Sequence, residues 1–574
     1  MPLSWIELLL VGLTTLALVS NIASPARIFG VFILVVLASG VVPFARGTSL
    51  LAEPAIITVT ALIVLSAALG KLPALQRLFF ARGSTGLRAT LGRLLGVAAL
   101  TSAVAPNTAV VAAVMGPATR RPGVEAHQLL LPLSYAGLAG GMITPFGTSA
   151  SLILVSRAAE QGVSLTVLDF LIPGLGVALM VVIALVLFSP LMLKRPGPQS
   201  SDIQTFFVEA RVDDNASIDG KTVGAAKLRG LTSFFLAEIV RGERVMAPVS
   251  PHTILRAGDR LIFVGDIRYL DELRSIDGVM IATDKTRTRQ DNTYQAVIAP
   301  DSPLAGKTLK ATQFRARFDA SVLAIKRGEE KLSGKLGELP LQAGDLLILA
   351  AGPDFPARDN IRPNFYLLDV NNPAGGRLDR WKTAGLIAGF TGFVMTALFQ
   401  LVPLALAAMV LVGASILLDW ISPREARRIF PFDVVIVLWG AILLGELVSQ
   451  SGIAAYLGDM IGLLSAGTAP IFAIAGVFLV TWLLTEFFSN ASAALIGLPI
   501  ALATSAATGI SADAMALTAA FGASACFLMP FGYQTHLIVM SSGGYRSTDF
   551  LRLGSIILIV YAVTAISLIA LTQL

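Results

Sequence analysis

Two asparagines set in apolar sequence are the residues from which chemistry can be argued. Asn490 lies in TEFFSNASAALIGLPIA (485–501), between Ser489 and Ala491, with a half-length apolar segment on each side. Asn107 lies in APNTAVVAAVMGP (105–117), next to Thr108. A side-chain amide at such a place can donate or accept without the cost of a buried charge. At the tip of a re-entrant hairpin, the amides that open the second arm are unpaired and carry the positive end of the helix dipole, which suits an anion. Two further stretches, Thr144-Pro145-Phe146-Gly147-Thr148 and Met529-Pro530-Phe531-Gly532-Tyr533-Gln534-Thr535, each interrupt a long apolar span. Proline removes a helix donor and glycine relaxes the backbone, so both spans should unwind there. Freed carbonyls suit Na⁺. Thr108, Thr148, Ser149, Ser489, Gln534 and Thr535 add neutral polar groups beside the tips and breaks. Such residues could merely satisfy kinked backbone and join helices. Two copies at matched spacing argue for more: Asn107 to Asn490 is 383 residues, and Pro145 to Pro530 is 385.

The elements that must position these residues follow from composition. The chain has 574 residues, 55% hydrophobic and 14% charged, with mean hydropathy +0.75. A soluble domain carries about 25% charged residues, so this is a polytopic membrane protein with some soluble mass. The soluble mass is 201–380, which holds 25 basic and 24 acidic residues. The net charge of +6 therefore sits on membrane flanks rather than on a nucleic-acid surface. One cysteine, Cys526, excludes an intramolecular disulfide, and three separated histidines suggest no metal cluster. The start, MPLSWIELLL, lacks a basic n-region and reads as a retained helix.

Apolar spans are expected at 4–22, 25–44 and 51–70, then a hairpin over 86–118, a broken helix over 128–160 and a span over 166–192. Arg88 and Arg93 precede the hairpin while Arg120 and Arg121 follow it, so it enters and leaves on one side. After the soluble region the plan recurs: spans at 381–399, 401–419 and 432–450, a hairpin over 469–504, a broken helix over 512–540, and a span over 553–572. Lys and Arg are missing from 429–545, which fits hairpin entry from the other side. An odd number of full spans per half inverts the second copy. This predicts a helical polytopic protein of two inverted repeats, 1–195 and 379–574, the arrangement of secondary transporters with sites at their broken helices. Basic flanks place the soluble region in the cytoplasm and both termini outside.

The soluble region holds its own repeat. Gly220-Lys221-Thr222, Arg241-Gly242-Glu243 and Ala257-Gly258-Asp259 recur as Gly306-Lys307-Thr308, Arg327-Gly328-Glu329 and Ala343-Gly344-Asp345, always 86 residues on. Short β-rich runs between Gly-Asp turns make these two small α+β modules, 203–288 and 289–372. The GKT steps lack the glycine spacing of a phosphate loop, and no nucleophile–base constellation appears, so an enzyme is not expected. Glu446 and Glu486 are intramembrane carboxylates that could take a proton or cation or simply bond nearby backbone; bracing of the hairpin is favoured for Glu486. His536 follows the second break and is a substrate candidate or a helix-end packing residue. Arg157 is read as a topology anchor.

TEFFSNASAA and APNTAVVAAVMGP resemble the paired Ser-Asn-Thr hairpin motifs of the divalent anion/Na⁺ symporter family, and FLMPFGYQTHLIVMSSGGYRSTDFLRLG resembles its C-terminal broken-helix signature. The soluble repeats resemble the C-terminal module of TrkA-C (RCK) regulatory domains. The resemblance implies an elevator mechanism, a homodimer in a bacterial inner membrane, and two Na⁺ sites with no organic cofactor. One Na⁺ site would use Asn107, Thr144, Gly147 and Thr148. The other would use Asn490, Met529, Gly532 and Gln534. Substrate would lie near Asn107, Thr108, Ser149, Ser489, Asn490, Thr535 and His536. The chain departs from the motifs at Pro106, Ala491 and His536. Loss of the hydroxyl at Ala491 favours sulfate over a dicarboxylate. The expectation is a Na⁺-coupled sulfate symporter whose modules bind a small regulator or dimerise. Its alternatives are a Na⁺-coupled dicarboxylate or citrate transporter and a proton-coupled oxyanion exporter. A gated ion channel would need a selectivity-filter sequence that is not found.

Overall fold

The computed structural model describes residues 5–19, 25–69, 86–103, 107–108, 110–111, 114–115, 125–193, 207–214, 216–228, 231, 234–242, 244–246, 249–265, 273, 275–281, 293–299, 302–328, 330–332, 336–351, 355, 358, 360–361, 364–368, 380–399, 401–423, 426–427, 430–530 and 532–573. Chain order in the first half is α1 (Trp5–Val19), α2 (Pro25–Ser39), α3 (Phe44–Ser49), α4 (Pro54–Leu69), α5 (Leu87–Ser102), α6 (Ala126–Gly140), α7 (Ser149–Glu160) and α8 (Val167–Met192). The span expected over 25–44 stops at Ser39, because Gly40 takes a left-handed φ of 70° and ends the helix. Pro54, whose missing N–H is harmless at a helix start, opens α4 three residues later than expected. Of the hairpin expected over 86–118, α5 and the helical residues 107–108, 110–111 and 114–115 are described; Ala105 and Pro106, expected near its tip, lie outside the described residues.

Beyond the soluble region, and after α9 (Phe314–Phe318) within it, come α10 (Arg380–Leu398), α11 (Leu404–Leu417), α12 (Phe432–Gln450), α13 (Ile453–Ser465), α14 (Ile471–Phe487), α15 (Asn490–Thr508), α16 (Ala512–Ala523), α17 (Gln534–Gly543) and α18 (Ser547–Gln573). The helix α13 was not expected from the sequence. Gly452 at φ 79° separates it from α12 and lets the chain fold back. Among the described residues five helical stretches are long and apolar enough to cross a membrane: Phe44–Leu65, α8, α12, α15 and α18. Exposed aliphatic residues on α8 and α18, such as Leu168, Leu179, Ile559 and Val563, form outward faces suited to lipid. One apolar core joins both halves: α8 packs along α18, and α6 packs along α17.

The soluble chain forms two five-stranded antiparallel sheets. The first contains β1 (Phe207–Val212), β2 (Phe234–Arg241), β3 (Arg244–Met246), β4 (Arg260–Gly265) and β5 (Val279–Ile281), in the order β3-β2-β4-β1-β5. The second contains β6 (Thr293–Ile298), β7 (Ala320–Arg327), β8 (Glu330–Leu332), β9 (Leu346–Ala351) and β10 (Phe365–Leu367), in the order β10-β6-β9-β7-β8. Read from the other edge, the second order is the first shifted by five strands. The repeated motifs form the same clasp in each sheet. Arg241 donates from Nε and Nη2 to Asp259, both at 2.7 Å, and Arg327 does so to Asp345 at 2.8 Å. The paired carboxylate pushes each guanidinium pKa up. Residue pairs 86 apart are thus retained because the turn and strand they join are the same pair in each copy.

Candidate functional site

Each long broken span is interrupted over more residues than its Pro-Phe-Gly step alone. The first gap runs from Gly141 to Thr148, between α6 and α7. The second runs from Ser524 to Tyr533, between α16 and α17. In each, the break glycine faces the backbone carbonyl of the residue five before the tip asparagine. A Cβ on Gly147 would collide with the Ser102 and Gly141 carbonyl oxygens, and a Cβ on Gly532 would collide with Cys526 Sγ, with the Thr485 and Met529 oxygens 3.5 and 3.6 Å away. Carbonyl oxygens therefore converge beside the first tip, as cation coordination requires, while at the second the Cys526 thiol is the group nearest the break glycine.

The first tip is acceptor-rich. Asn107 is buried; its Nδ2 donates to the Tyr533 hydroxyl at 3.0 Å, while its Oδ1 has no partner among the described residues. A Cβ on Gly141 would lie 2.8 Å from that same Oδ1, so the oxygen abuts the break. Ser102 Oγ is a second buried oxygen without a partner. Thr144 donates to the Ala103 carbonyl and accepts the Phe146 N–H at 3.2 Å, which pins the loop to the first arm. Thr148 caps α7 by accepting the Ser151 N–H. Unpaired buried oxygens cost free energy unless a ligand meets them.

The second tip is arranged differently. Ser489 caps α15 by accepting the Ser492 N–H, which places Asn490 at the first turn. Thr485 Oγ1 donates to the Ala523 carbonyl at 2.6 Å and lies 2.9 Å from Asn490 Oδ1, while Asn490 Nδ2 has no partner among the described residues. Ser524 Oγ is also unpartnered. The break itself is held by Glu486, whose carboxylate accepts the N–H groups of Phe527, Leu528 and Met529 at 3.2, 3.1 and 3.0 Å and the Trp482 indole at 3.2 Å. Glu486 thus braces the second break, where the sequence reading has it bracing the hairpin.

The other candidates separate. Asn107, Thr144, Gly147 and Thr148 come together at the first break, and Asn490, Met529 and Gly532 lie at the second. Thr108 is partly buried one residue past the first tip, and Ser149 and Gln534 are exposed first residues of α7 and α17. Thr535 and His536 are fully buried. Thr535 Oγ1 lies 2.6 Å from Ser134 Oγ; His536 Nδ1 lies 2.8 Å from the same hydroxyl and its Nε2 2.8 Å from the Cys526 carbonyl. With both ring nitrogens engaged, His536 joins α17 to α6 and the break rather than facing a ligand. Arg157, read as a topology anchor, is buried and bonds Glu53 at 2.8 Å and also Glu160. Glu446 pairs with Arg46 at 3.2 Å. Sequence reasoning missed Ser102, Tyr533, Thr485 and Ser134. The first and third hold the positions that precede their tips by five residues, a spacing that would have found them.

The tips and breaks also cross between halves. Asn107 bonds Tyr533 of the second break, and α15 packs on α7 of the first. Sequence features of the family described as citrate transporters match residues 9–522. A Chlamydomonas reinhardtii protein named for regulation of the sulfur deprivation response is 29% identical over 536 residues, covering 88% of this chain and 90% of its own. Sodium/sulfate cotransporter 1 of the same alga is 26% identical over 367 residues, 61% of this chain and 41% of its own. A sodium-dependent dicarboxylate transporter of Staphylococcus saprophyticus is 28% identical over 127 residues, 22% of this chain and 24% of its own. The chain belongs to the citrate transporter family, and is a multi-pass membrane transporter rather than an enzyme.

Proposed function

We propose that the chain is a sodium-coupled symporter of a divalent anion, sulfate before dicarboxylates. One observation carries this reading: each tip keeps one buried end of an asparagine amide without a partner among the described residues, Asn107 beside the first break and Asn490 at the start of a long helix. An acceptor beside convergent carbonyls suits Na⁺, and a donor at the start of a long helix suits an anion. Asn107, Gly147, Thr148 and the Ser102 carbonyl hold one Na⁺. The Thr485 and Met529 carbonyls beside Gly532 hold the other. Asn490, Ser489 and Thr108 contact the anion, with Ser149 and Gln534 at the rim, while Thr144, Thr535 and His536 position the backbone around them. Each bound Na⁺ lowers the cost of bringing an anion to the same region.

The names of the algal relatives, sulfur deprivation and sodium/sulfate cotransport, support sulfate, and the staphylococcal name supports Na⁺ coupling. The halves act as inverted repeats in an elevator-type movement, with soluble TrkA-C-like modules in the cytoplasm of a bacterial inner membrane and a homodimer as the working unit. Uptake of radiolabelled sulfate, succinate and citrate into proteoliposomes, with Na⁺ or choline outside, tests the reading. Sulfate uptake that needs Na⁺ is the expected result. Uptake of citrate or succinate in its place would move the chain to the dicarboxylate reading, and uptake indifferent to Na⁺ would remove the coupling.

A further inference from the structure

The two soluble modules share a fold but present opposite chemistry on one face. On the second module, Val297, Leu346, Tyr366 and Leu368 belong to the apolar core of the membrane helices. Subtracting the repeat of 86, the first module has Arg211, Arg260 and Met280 where the second has Val297, Leu346 and Tyr366, and all three are exposed. The apolar face is occupied. The Gly328 N–H donates to Ser541 Oγ at 3.1 Å, and a Cβ on Gly344 would lie 2.6 Å from the Leu537 carbonyl oxygen. The matching Gly242 has nothing within 4 Å. The second module is therefore seated on α17, and the first reaches it through Arg315, which donates to the Val249 carbonyl.

The helix under the module leads directly to both breaks. Ten residues at 1.5 Å each make α17 about 15 Å long. One end carries Ser541, and the other opens at Gln534, beside the second break. Along its length α17 is tied to α6. His127 Nδ1 lies 3.0 Å from the Gly543 carbonyl, the Tyr545 hydroxyl accepts the Leu131 N–H at 2.9 Å, and Ser134 meets Thr535 and His536. The helix α6 ends at Gly140, where the first break begins. A displacement of the module must move this pair, because packed side chains transmit strain rather than absorb it.

We propose that the second module is a control handle: its seat on α17 sets the geometry of both breaks through the α6–α17 pair, so that whatever state the modules adopt is delivered to the transport site. The proposal rests on the breaks being that site. The test replaces the seat with residues that the fold already tolerates, V297R/L346R, copied from the first module. The control is the reverse exchange, R211V/R260L. Hydrogen exchange of the purified, full-length protein is followed at 141–148 and 524–533, with the strands of the second sheet reporting that the module stays folded. We expect V297R/L346R to speed exchange at both breaks about 5-fold or more, the lower end of a typical coupling between sites. The control should leave them within twofold. S541A, which removes one bond from the membrane side, should give a smaller change of the same sign. Unchanged exchange at the breaks, with α17 itself opened, would overturn the proposal. A native protein that fails to take up sulfate would sink the substrate reading and leave this exchange result standing.

Discussion

The two breaks show how one plan can be built with different chemistry. At the first, hydroxyls fix the loop: Thr144 bonds the Ala103 carbonyl and Thr148 caps α7. At the second, a carboxylate does so, with Glu486 gathering three successive amides. Ala103 and Glu486 are 383 residues apart, the same offset as the asparagines. A hydroxyl-held loop leaves oxygens in surplus, at Asn107 and Ser102. At the carboxylate-held loop the unpartnered amide end is Asn490 Nδ2. Symmetry in position thus coexists with asymmetry in the side chains that hold each loop.

The comparison is broken most severely at Glu486. E486A strands three buried amides and an indole, each worth about 1–3 kcal/mol when left without a partner. The detergent-purified variant should lose on the order of 3 kcal/mol or more, seen as a large drop in thermal midpoint. A103S at the matching first-half position should change the midpoint little. Next in size, N107A and N490A should each lower Na⁺-driven uptake about 10-fold or more, a loss of ~1.4 kcal/mol, while the folded protein stays near native stability. Y533F removes the hydroxyl that accepts from Asn107 Nδ2; a loss of about 1 kcal/mol corresponds to a roughly fivefold rise in the Na⁺ concentration for half-maximal uptake. The smallest expected effect is A491T. A buried hydroxyl added beside Asn490 should raise succinate uptake relative to sulfate by about twofold to fivefold, measured as a ratio of initial rates.

Much of this arrangement was legible in the sequence. The asparagines mark the tips because a lone amide in apolar sequence has few other uses, and Pro145 and Pro530 mark the breaks because a proline cannot continue a helix ladder. The full width of the breaks was not legible. Gly141-Met142-Ile143 and Ser524-Ala525-Cys526-Phe527 contain no proline, and their unwinding depends on contacts with α5 and Glu486. Nothing local in the sequence sets Ser102 and Thr485 apart from the many hydroxyls that bond their own helix. Tyr533 was included in the break but its bond to Asn107 crosses 426 residues, beyond any local pattern. The charged cluster of Glu53, Arg157 and Glu160 was likewise invisible until α7 met the start of α4. In the soluble region the 86-residue offset foretold two matching sheets. The seating of only the second on α17 lay in the differences between copies, Val297 for Arg211 and Leu346 for Arg260, rather than in the repeat itself.

Ligand-induced thermal stabilisation of N107A and N490A separates the two tips most directly, because it reads binding without requiring transport. With Na⁺ alone, native protein and N490A should rise in midpoint, while N107A, left with the second Na⁺ site only, should rise less. With sulfate added at saturating Na⁺, the further rise should be present in native protein and missing in N490A. Equal loss of the Na⁺ response in both variants, with the sulfate response of N490A intact, would contradict the division of an acceptor tip for the cation and a donor tip for the anion.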